Sequence, residues 1–215
     1  MRMRNNPKAD EILSSNPDLI ILNPENHKGK WNEVFGNNNE IHIEIGMGKG
    51  DFVSNKALQN PNINYVGIEL SKSVVVVAIN KFKMFKQSQN AEISNLRIMS
   101  VDAAKLMDVF EINEVKKIYL NFSDPWPRKK HAKRRLTFKS FLETYKNIEI
   151  DNGVVEFKTD NRGLFEYSLE SMNNFGMTFE KVFLDLHKTE EPNIMTEYEG
   201  KFCEKGPIYK LVARF

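Results

Sequence analysis

The stretch Ile41-His-Ile-Glu-Ile-Gly-Met-Gly-Lys-Gly50 is a short β-branched run that breaks into three glycines at alternating positions. Such a run predicts a strand, and glycines directly after it let the backbone turn sharply and approach a ligand closely. Residues 52–58 carry helical spacing, so the segment predicts strand, turn and helix in that order. In an open α/β sheet, ligands bind at the C-terminal ends of strands. Gly46, Gly48 and Gly50 therefore form a candidate ligand-binding turn. Its G-x-G-x-G spacing departs from the G-x-G-x-x-G of dinucleotide binders. Gly48-Lys49 also lacks the spacing and the following Ser or Thr of a P-loop.

Working outward, further strand candidates lie at residues 64–69, 96–101, 117–121, 153–159, 179–184 and 208–214. Each is short and rich in β-branched or aromatic residues. Helical segments follow the second to fifth strands at residues 72–86, 104–110, 138–148 and 163–174. In the first of these, Val74, Val77, Ile79, Met84 and Phe85 suit a helix better than a strand, given the length. Alternating strands and helices imply right-handed crossovers and a mainly parallel sheet covered on both faces. The alternation stops near the end, where two strands follow one another without a helix, so the last is expected to be antiparallel. The expected fold is α/β, with seven mostly parallel strands, helices on both faces and a final antiparallel strand. Residues 1–40 are polar and without clear period. They read as an N-terminal extension with a short helix or two, and residues 41–215 as the core of a single domain.

A chain of 215 residues with 40% hydrophobic and 28% charged residues can bury a full core without a disulfide or metal. Its one cysteine, Cys203, suits a reducing compartment. No apolar run approaches the ~18 residues of a membrane span, and Met1-Arg-Met-Arg-Asn-Asn-Pro lacks the apolar stretch of a signal peptide. A cytoplasmic protein is expected, without a membrane partner. Net charge is only +2, yet residues 128–135 read RKKHAKRR, six Lys or Arg in eight positions. That run is a strong local positive field.

Three acids accompany the glycine turn. Glu44 stands in the first strand, Glu69 at the end of the second and Asp102 after the third. A carboxylate at the position of Glu69 is placed to accept hydrogen bonds from both hydroxyls of a ribose. Asp102 could reach the far side of the same nucleoside. Without a phosphate-binding signature, the set points to a nucleoside ligand that lacks a pyrophosphate. This arrangement resembles the Rossmann-like S-adenosylmethionine-dependent methyltransferases over residues 40–215.

After the fourth strand comes Asn121-Phe-Ser-Asp-Pro-Trp-Pro127, in which two prolines stiffen a loop around Trp126. Asp124 follows the strand directly, and the basic run begins at Arg128. Lys129, Lys130, His131, Lys133, Arg134 and Arg135 are suited to neutralise phosphates and to position RNA without reading its sequence. The string DPWP, the basic stretch and KRRLT resemble the bacterial tRNA (guanine-N7-)-methyltransferase family. Phe157-Lys-Thr-Asp-Asn161, Thr196-Glu-Tyr-Glu199 and Gly206-Pro-Ile-Tyr209 extend the likeness in order along the chain. The resemblance implies contacts with the methyl donor at Glu44, Glu69, Asp102 and Asp124. It implies tRNA or target-base contacts at Arg128, Asp160, Thr196, Glu197, Tyr198 and Glu199, and a variable-loop guanine as target. Two positions depart from the pattern. Position 128 is Arg where Lys is expected, and position 47 is Met where a small residue is common.

The chemistry suits these residues. Guanine N7 carries an in-plane lone pair and no proton, so it attacks a sulfonium methyl without a general base. The sequence offers no metal-ligand cluster and no evident nucleophile. Alignment of two bound reactants can be worth ~7–11 kcal/mol. Methylation makes the guanine cationic, so Asp160 or Asp124 on its N1/N2 edge would bind the developing charge better than the neutral base. Trp126 and Tyr198 are candidates for an apolar wall against an extruded base. Glu197 and Glu199 either accept from the guanine edge or pair with the basic run. Three rival readings use the same residues. An adenine amino-methyltransferase is disfavoured by the order Asp-Pro-Trp-Pro, a small-molecule methyltransferase by the basic run, and a non-catalytic RNA binder by the intact glycines and acids. The expected partner is tRNA, bound by a monomer or homodimer, with no metal.

Overall fold

The computed structural model describes residues 5–215; the first four residues of the expected N-terminal extension lie outside the described residues. Two compact units divide the chain, one up to Glu111 and one from Ile112.

The first unit runs α1 (Ala9–Ser14), β1 (Ile20–Ile21), a 3-10 turn at Pro24–His27, α2 (Trp31–Phe35), β2 (Ile41–Ile45), α3 (Asp51–Gln59), β3 (Asn64–Ile68), α4 (Lys72–Gln89), β4 (Leu96–Met99), a 3-10 turn at Ala103–Lys105 and α5 (Leu106–Val109). Its strands lie in the order β1-β4-β3-β2, all parallel. The strand in the extension corrects the expected count, since eight strands stand among the described residues where seven are expected. Two isoleucines are too short a run to signal a strand. They pair because β4 has an open edge: Ile98 N–H donates to Leu19 O at 2.7 Å, and Ile20 is buried. The extension also carries its own anchor. Trp31 is fully buried, stacks on Phe110 at 5.2 Å and donates its indole N–H to Val109 O at 3.1 Å.

The second unit runs β5 (Val115–Asn121), a 3-10 helix at Lys129–Arg134, α6 (Lys139–Ile148), β6 (Glu149–Thr159), α7 (Arg162–Phe175), β7 (Thr178–Phe183), a 3-10 turn at Leu186–Lys188, α8 (Glu197–Phe202), a 3-10 turn at Cys203–Lys205 and β8 (Tyr209–Arg214). Its order is β5-β6-β8-β7. β5 and β6 are parallel, and β8 runs antiparallel to both of its neighbours, so the final strand is antiparallel as expected. A short helix does stand between β7 and β8. Six residues are too few for helical periodicity to show; α8 is instead defined at its start by a capping box, in which Thr196 and Glu199 each satisfy the other's backbone N–H.

β6 begins at Glu149, four residues before the expected start at Gly153. Its register with β5 jumps from Val115↔Glu149 to Lys117↔Val154, so residues 150–153 bulge out with Asn152 at φ 60°. Under this bulge Glu149 is 3% exposed, and neither carboxylate oxygen has a hydrogen-bond partner. A Cβ at Gly153 would lie 2.7 Å from Glu149 Cβ, which is why glycine stands there. Burial pushes the Glu149 pKa from 4.5 to about 9, against the smaller opposing pull of Arg214 and Lys116. The folded chain thus keeps a proton that the unfolded chain releases above about pH 4.5, and stability falls as pH rises from there to about 9. Glu149→Gln should remove this slope and add up to about 5 kcal/mol at pH 8. Thermal melts of both proteins at pH 6 and pH 8.5 check it; parallel losses in the two would show that Glu149 ionises normally.

No helix among the described residues is long and apolar enough to cross a membrane.

Candidate active site

The glycine turn after β2 is built by backbone conformations that side chains resist. Gly46, Gly48 and Gly50 have φ of 76°, 56° and 79°, all in the left-handed region that glycine enters at little cost. Gly46 and Met47 N–H groups both donate to Ile68 O, at 2.8 and 3.0 Å. Gly48 N–H donates to Glu69 Oε2 at 3.1 Å, and Ser71 N–H donates to Glu69 Oε1 at 2.9 Å. Each Glu69 oxygen therefore receives one backbone proton and keeps acceptor capacity for a hydroxyl.

Nothing lies within 4 Å of where a Cβ would stand at Gly46 or Gly48, so the rim of the turn is open to a ligand. Met47, the larger residue at an expected small position, points the other way. It is 6% exposed, and its Sδ lies 2.4 Å from where a Cβ at Gly67 would be. Gly67, in β3, leaves the space that Met47 fills.

Glu44 is buried in β2. Asp102 is exposed and caps the following 3-10 turn by accepting from Ala104 N–H at 2.9 Å. The first unit thus gathers an open glycine turn and acids at three strands. A ribose diol fits Glu69, and the donor set suits a nucleoside without phosphates.

In the second unit, β5 ends in Asn121 and enters the loop with Phe122 at φ 51°. Trp126 follows at φ 41°. Two bulky side chains in the left-handed region store strain, which persists only where surrounding structure holds it. Arg135 supplies that hold. Its Nε donates to Pro125 O at 3.2 Å, its Nη2 donates to Trp126 O at 3.0 Å, and its guanidinium lies over the Tyr167 ring at 4.2 Å.

The basic run therefore divides. Arg128, Lys129, Lys130, Lys133 and Arg134 are exposed. Arg134 also covers Trp126 at 4.8 Å, and His131 meets the indole edge-on at 5.8 Å. Arg135, expected on RNA, is occupied by the loop it follows. Asp124 is exposed at the head of that loop.

Asp160 stands just past β6, exposed, with Oδ2 accepting from the Tyr198 hydroxyl at 3.0 Å. Burial, followed by the Asp160 carboxylate, raises the Tyr198 pKa, so the hydroxyl keeps its proton and acts as donor. The Tyr198 ring lies 5.2 Å from Phe122 and stacks on Phe202 at 4.4 Å, yet 42% of the residue remains exposed. A carboxylate gripped on one oxygen beside an exposed aromatic face can take two N–H donors of a purine edge.

Glu199 is not on that surface. Expected to face the substrate, it is fully buried. Oε2 accepts from Lys158 Nζ at 2.7 Å, and Oε1 meets His187 Nε2 at 2.9 Å and Asn193 Nδ2 at 2.6 Å. Burial pushes its pKa up, but Lys158, Asn193 and His187 outweigh it, and the pKa falls below the ordinary carboxylate value. Thr196 spends its hydroxyl oxygen on the α8 cap, and Glu197 pairs with Lys201 one turn on. Of the four residues 196–199, Tyr198 is exposed, Thr196 and Glu197 are half-buried, and Glu199 is buried. Phe122, Lys158, His187, Asn193 and Phe202 are the parts that sequence reading missed. Lys158, a charge inside an apolar strand run, was the one visible signal.

Comparison with known proteins follows the same lines. The family described as "Putative methyltransferase" matches residues 38–211. The tRNA (guanine-N(7)-)-methyltransferase of Bacillus subtilis (strain 168) is 55% identical over 212 residues, 98% of this chain and 97% of that protein. The enzyme of the same name from Lysinibacillus sphaericus (strain C3-41) is 54% identical over 217 residues, 100% of this chain and 98% of that protein. Among solved structures, an antibiotic-related methyltransferase superposes with a TM-score of 0.64 at 18% identity, over 87% of this chain and 94% of that one. The 16S rRNA methyltransferase KamB superposes with a TM-score of 0.64 at 11% identity, over 87% of this chain and 93% of that one. At such identities the structural likeness shows a shared Rossmann-like fold.

Proposed function

The chain belongs to the tRNA (guanine-N(7)-)-methyltransferase family, and from that membership we propose how its residues divide the work of one methyl transfer. The reaction carries a methyl group from S-adenosylmethionine to N7 of a guanine in tRNA. S-adenosylmethionine supplies an electrophilic methyl on a sulfonium centre. In the first unit, Gly46, Gly48 and Gly50 leave room for the donor at the backbone. Glu69 accepts from the ribose hydroxyls, Asp102 takes the base side of the nucleoside, and Glu44, buried in β2, is the third acid on the donor.

In the second unit, Asp124 serves the charged end of the donor. Arg128, Lys129, Lys130, Lys133 and Arg134 neutralise tRNA phosphates, an electrostatic contact without sequence information. Tyr198 gives the target base an aromatic face. Asp160 accepts from guanine N1–H and the exocyclic N2 amine. As the methyl is transferred the ring becomes cationic, and the Asp160 carboxylate stabilises that charge more than it stabilises the neutral base. No group needs to take a proton from N7.

The observation that carries this reading is the grip of the Tyr198 hydroxyl on one oxygen of an exposed Asp160. It fixes a carboxylate beside a stacking surface, the pair that a purine edge requires. The target guanine is that of the variable loop, the whole chain acts as a single methyltransferase domain, and the enzyme works in the cytoplasm. The test is product identity. Methyl-labelled donor and unmodified tRNA transcripts should give label in 7-methylguanosine after digestion. Label in another nucleoside would keep the donor and overturn the base.

A further inference from the structure

A lysine with no exposed surface near the end of a strand has no direct use to an RNA enzyme. Lys158 in β6 is fully buried. Its ammonium donates to Glu199 Oε2 at 2.7 Å, to Asn193 Oδ1 at 3.0 Å and to Ile194 O at 3.1 Å. Asn193 and Ile194 lie in the segment between β7 and α8, and Glu199 lies in α8 itself. Burying two charges is expensive, and a buried ion pair often stabilises less than an apolar pair of the same volume. Such a pair is better understood by what it specifies than by what it adds to stability.

What it specifies is on the next residues. Lys158 lies two residues before Asp160, and Glu199 is the neighbour of Tyr198. Fastening Glu199 to Lys158 therefore sets the register between the end of β6 and α8. In that register the Tyr198 hydroxyl reaches Asp160 Oδ2 at 3.0 Å, and its ring meets Phe122 at 5.2 Å. The remaining lone pairs of Glu199 go to His187 and Asn193. The carboxylate is spent and shielded.

We propose that Glu199 and Lys158 form a latch that positions Tyr198 and Asp160 for the target guanine, and that Glu199 never touches the base. This rests on the reading of the chain as a tRNA guanine methyltransferase and changes the role of one of its acids from ligand to positioning residue.

The test is a pair of neutralising substitutions made singly and together, Lys158→Met, Glu199→Gln and the double variant. Either single change leaves a buried charge unpaired, so each should lower kcat/KM for tRNA about tenfold to a hundredfold. The double variant removes the same single fastening, so its loss should match that of either single change within about threefold rather than their product. Binding of S-adenosylmethionine, followed by equilibrium dialysis, should stay unchanged in all three. A fully active Lys158→Met beside an inactive Glu199→Gln, or losses that multiply in the double variant, would overturn the latch and return Glu199 to the base.

Should the single variants fail to fold, Tyr198→Phe reads the same device from its exposed end. It should lower kcat about tenfold with KM for tRNA within about twofold, and an unchanged kcat would overturn the proposal. Amide hydrogen exchange gives a readout free of activity. Residues 193–202 should exchange faster in both single variants and in the double. Absence of 7-methylguanosine from the unsubstituted enzyme's reaction would instead fail the functional reading, and the exchange pattern would still decide the latch.

Discussion

Asp160→Asn should lower kcat about 10²–10³-fold while tRNA affinity stays within about twofold, because the lost interaction is one that strengthens as the guanine ring becomes cationic. The substitution is nearly isosteric. It keeps an oxygen for the Tyr198 hydroxyl, which donates to Asp160 Oδ2 at 3.0 Å, so the aromatic surface should stay in place. What it removes is the charge and one acceptor. Guanine offers two donors on its N1/N2 edge, and an amide that still binds Tyr198 through oxygen turns its N–H₂ group toward them. Single-turnover methylation at saturating donor and tRNA isolates the chemical step. A variant with unchanged turnover and unchanged affinity would remove Asp160 from the mechanism.

Arg135→Ala should cost about 10–10²-fold in kcat, since hydrogen bonds from a charged group contribute about 1.5–3 kcal/mol each and two carbonyls lose theirs. The carbonyls belong to Pro125 and Trp126, and Trp126 is held at φ 41°. Without the guanidinium, the strained loop relaxes and Asp124 loses its place. The diagnostic is salt. A Lys or Arg on phosphate contributes about one unit to the slope of log K against log salt. Lys133→Ala should reduce that slope by about one, and Arg135→Ala should leave it unchanged. Filter binding of tRNA at several salt concentrations measures both. Equal slope changes in the two variants would place Arg135 on the RNA.

How much of this was legible depended on where the information sits. The glycine turn is a local pattern that residues 41–50 carry in ten consecutive positions, and Glu69 and Asp102 stand at the ends of the next two strand runs. The strain at Phe122 and Trp126 was only half visible, because two prolines announce a rigid loop but not a left-handed backbone. β6 was read short because Asp151-Asn152-Gly153 is a turn signal, and here it marks a bulge inside a strand. The start of the chain was read as loose because its order comes from Trp31 stacking on Phe110, 79 residues further on.

The acids divided along the same line. Asp160 and Glu199 look alike in sequence, each an acid in a short string of mostly polar residues. Only tertiary structure shows one exposed and the other sealed against Lys158. Arg135 was likewise counted with its neighbours, because a run of positive charge does not disclose which member turns back onto the chain.

The filled space between Met47 and Gly67 sets an order in which these two positions can drift. Any residue larger than glycine at 67 requires the thioether at the flexible end of Met47 to move aside, so a substitution there is easier once position 47 has shrunk. The reverse order is open, since Met47→Ala leaves a cavity at a cost of about 2–5 kcal/mol but no collision. Lineages that start from this pair therefore have an easier path through a small residue in the glycine turn first. The permissive step is the destabilising one.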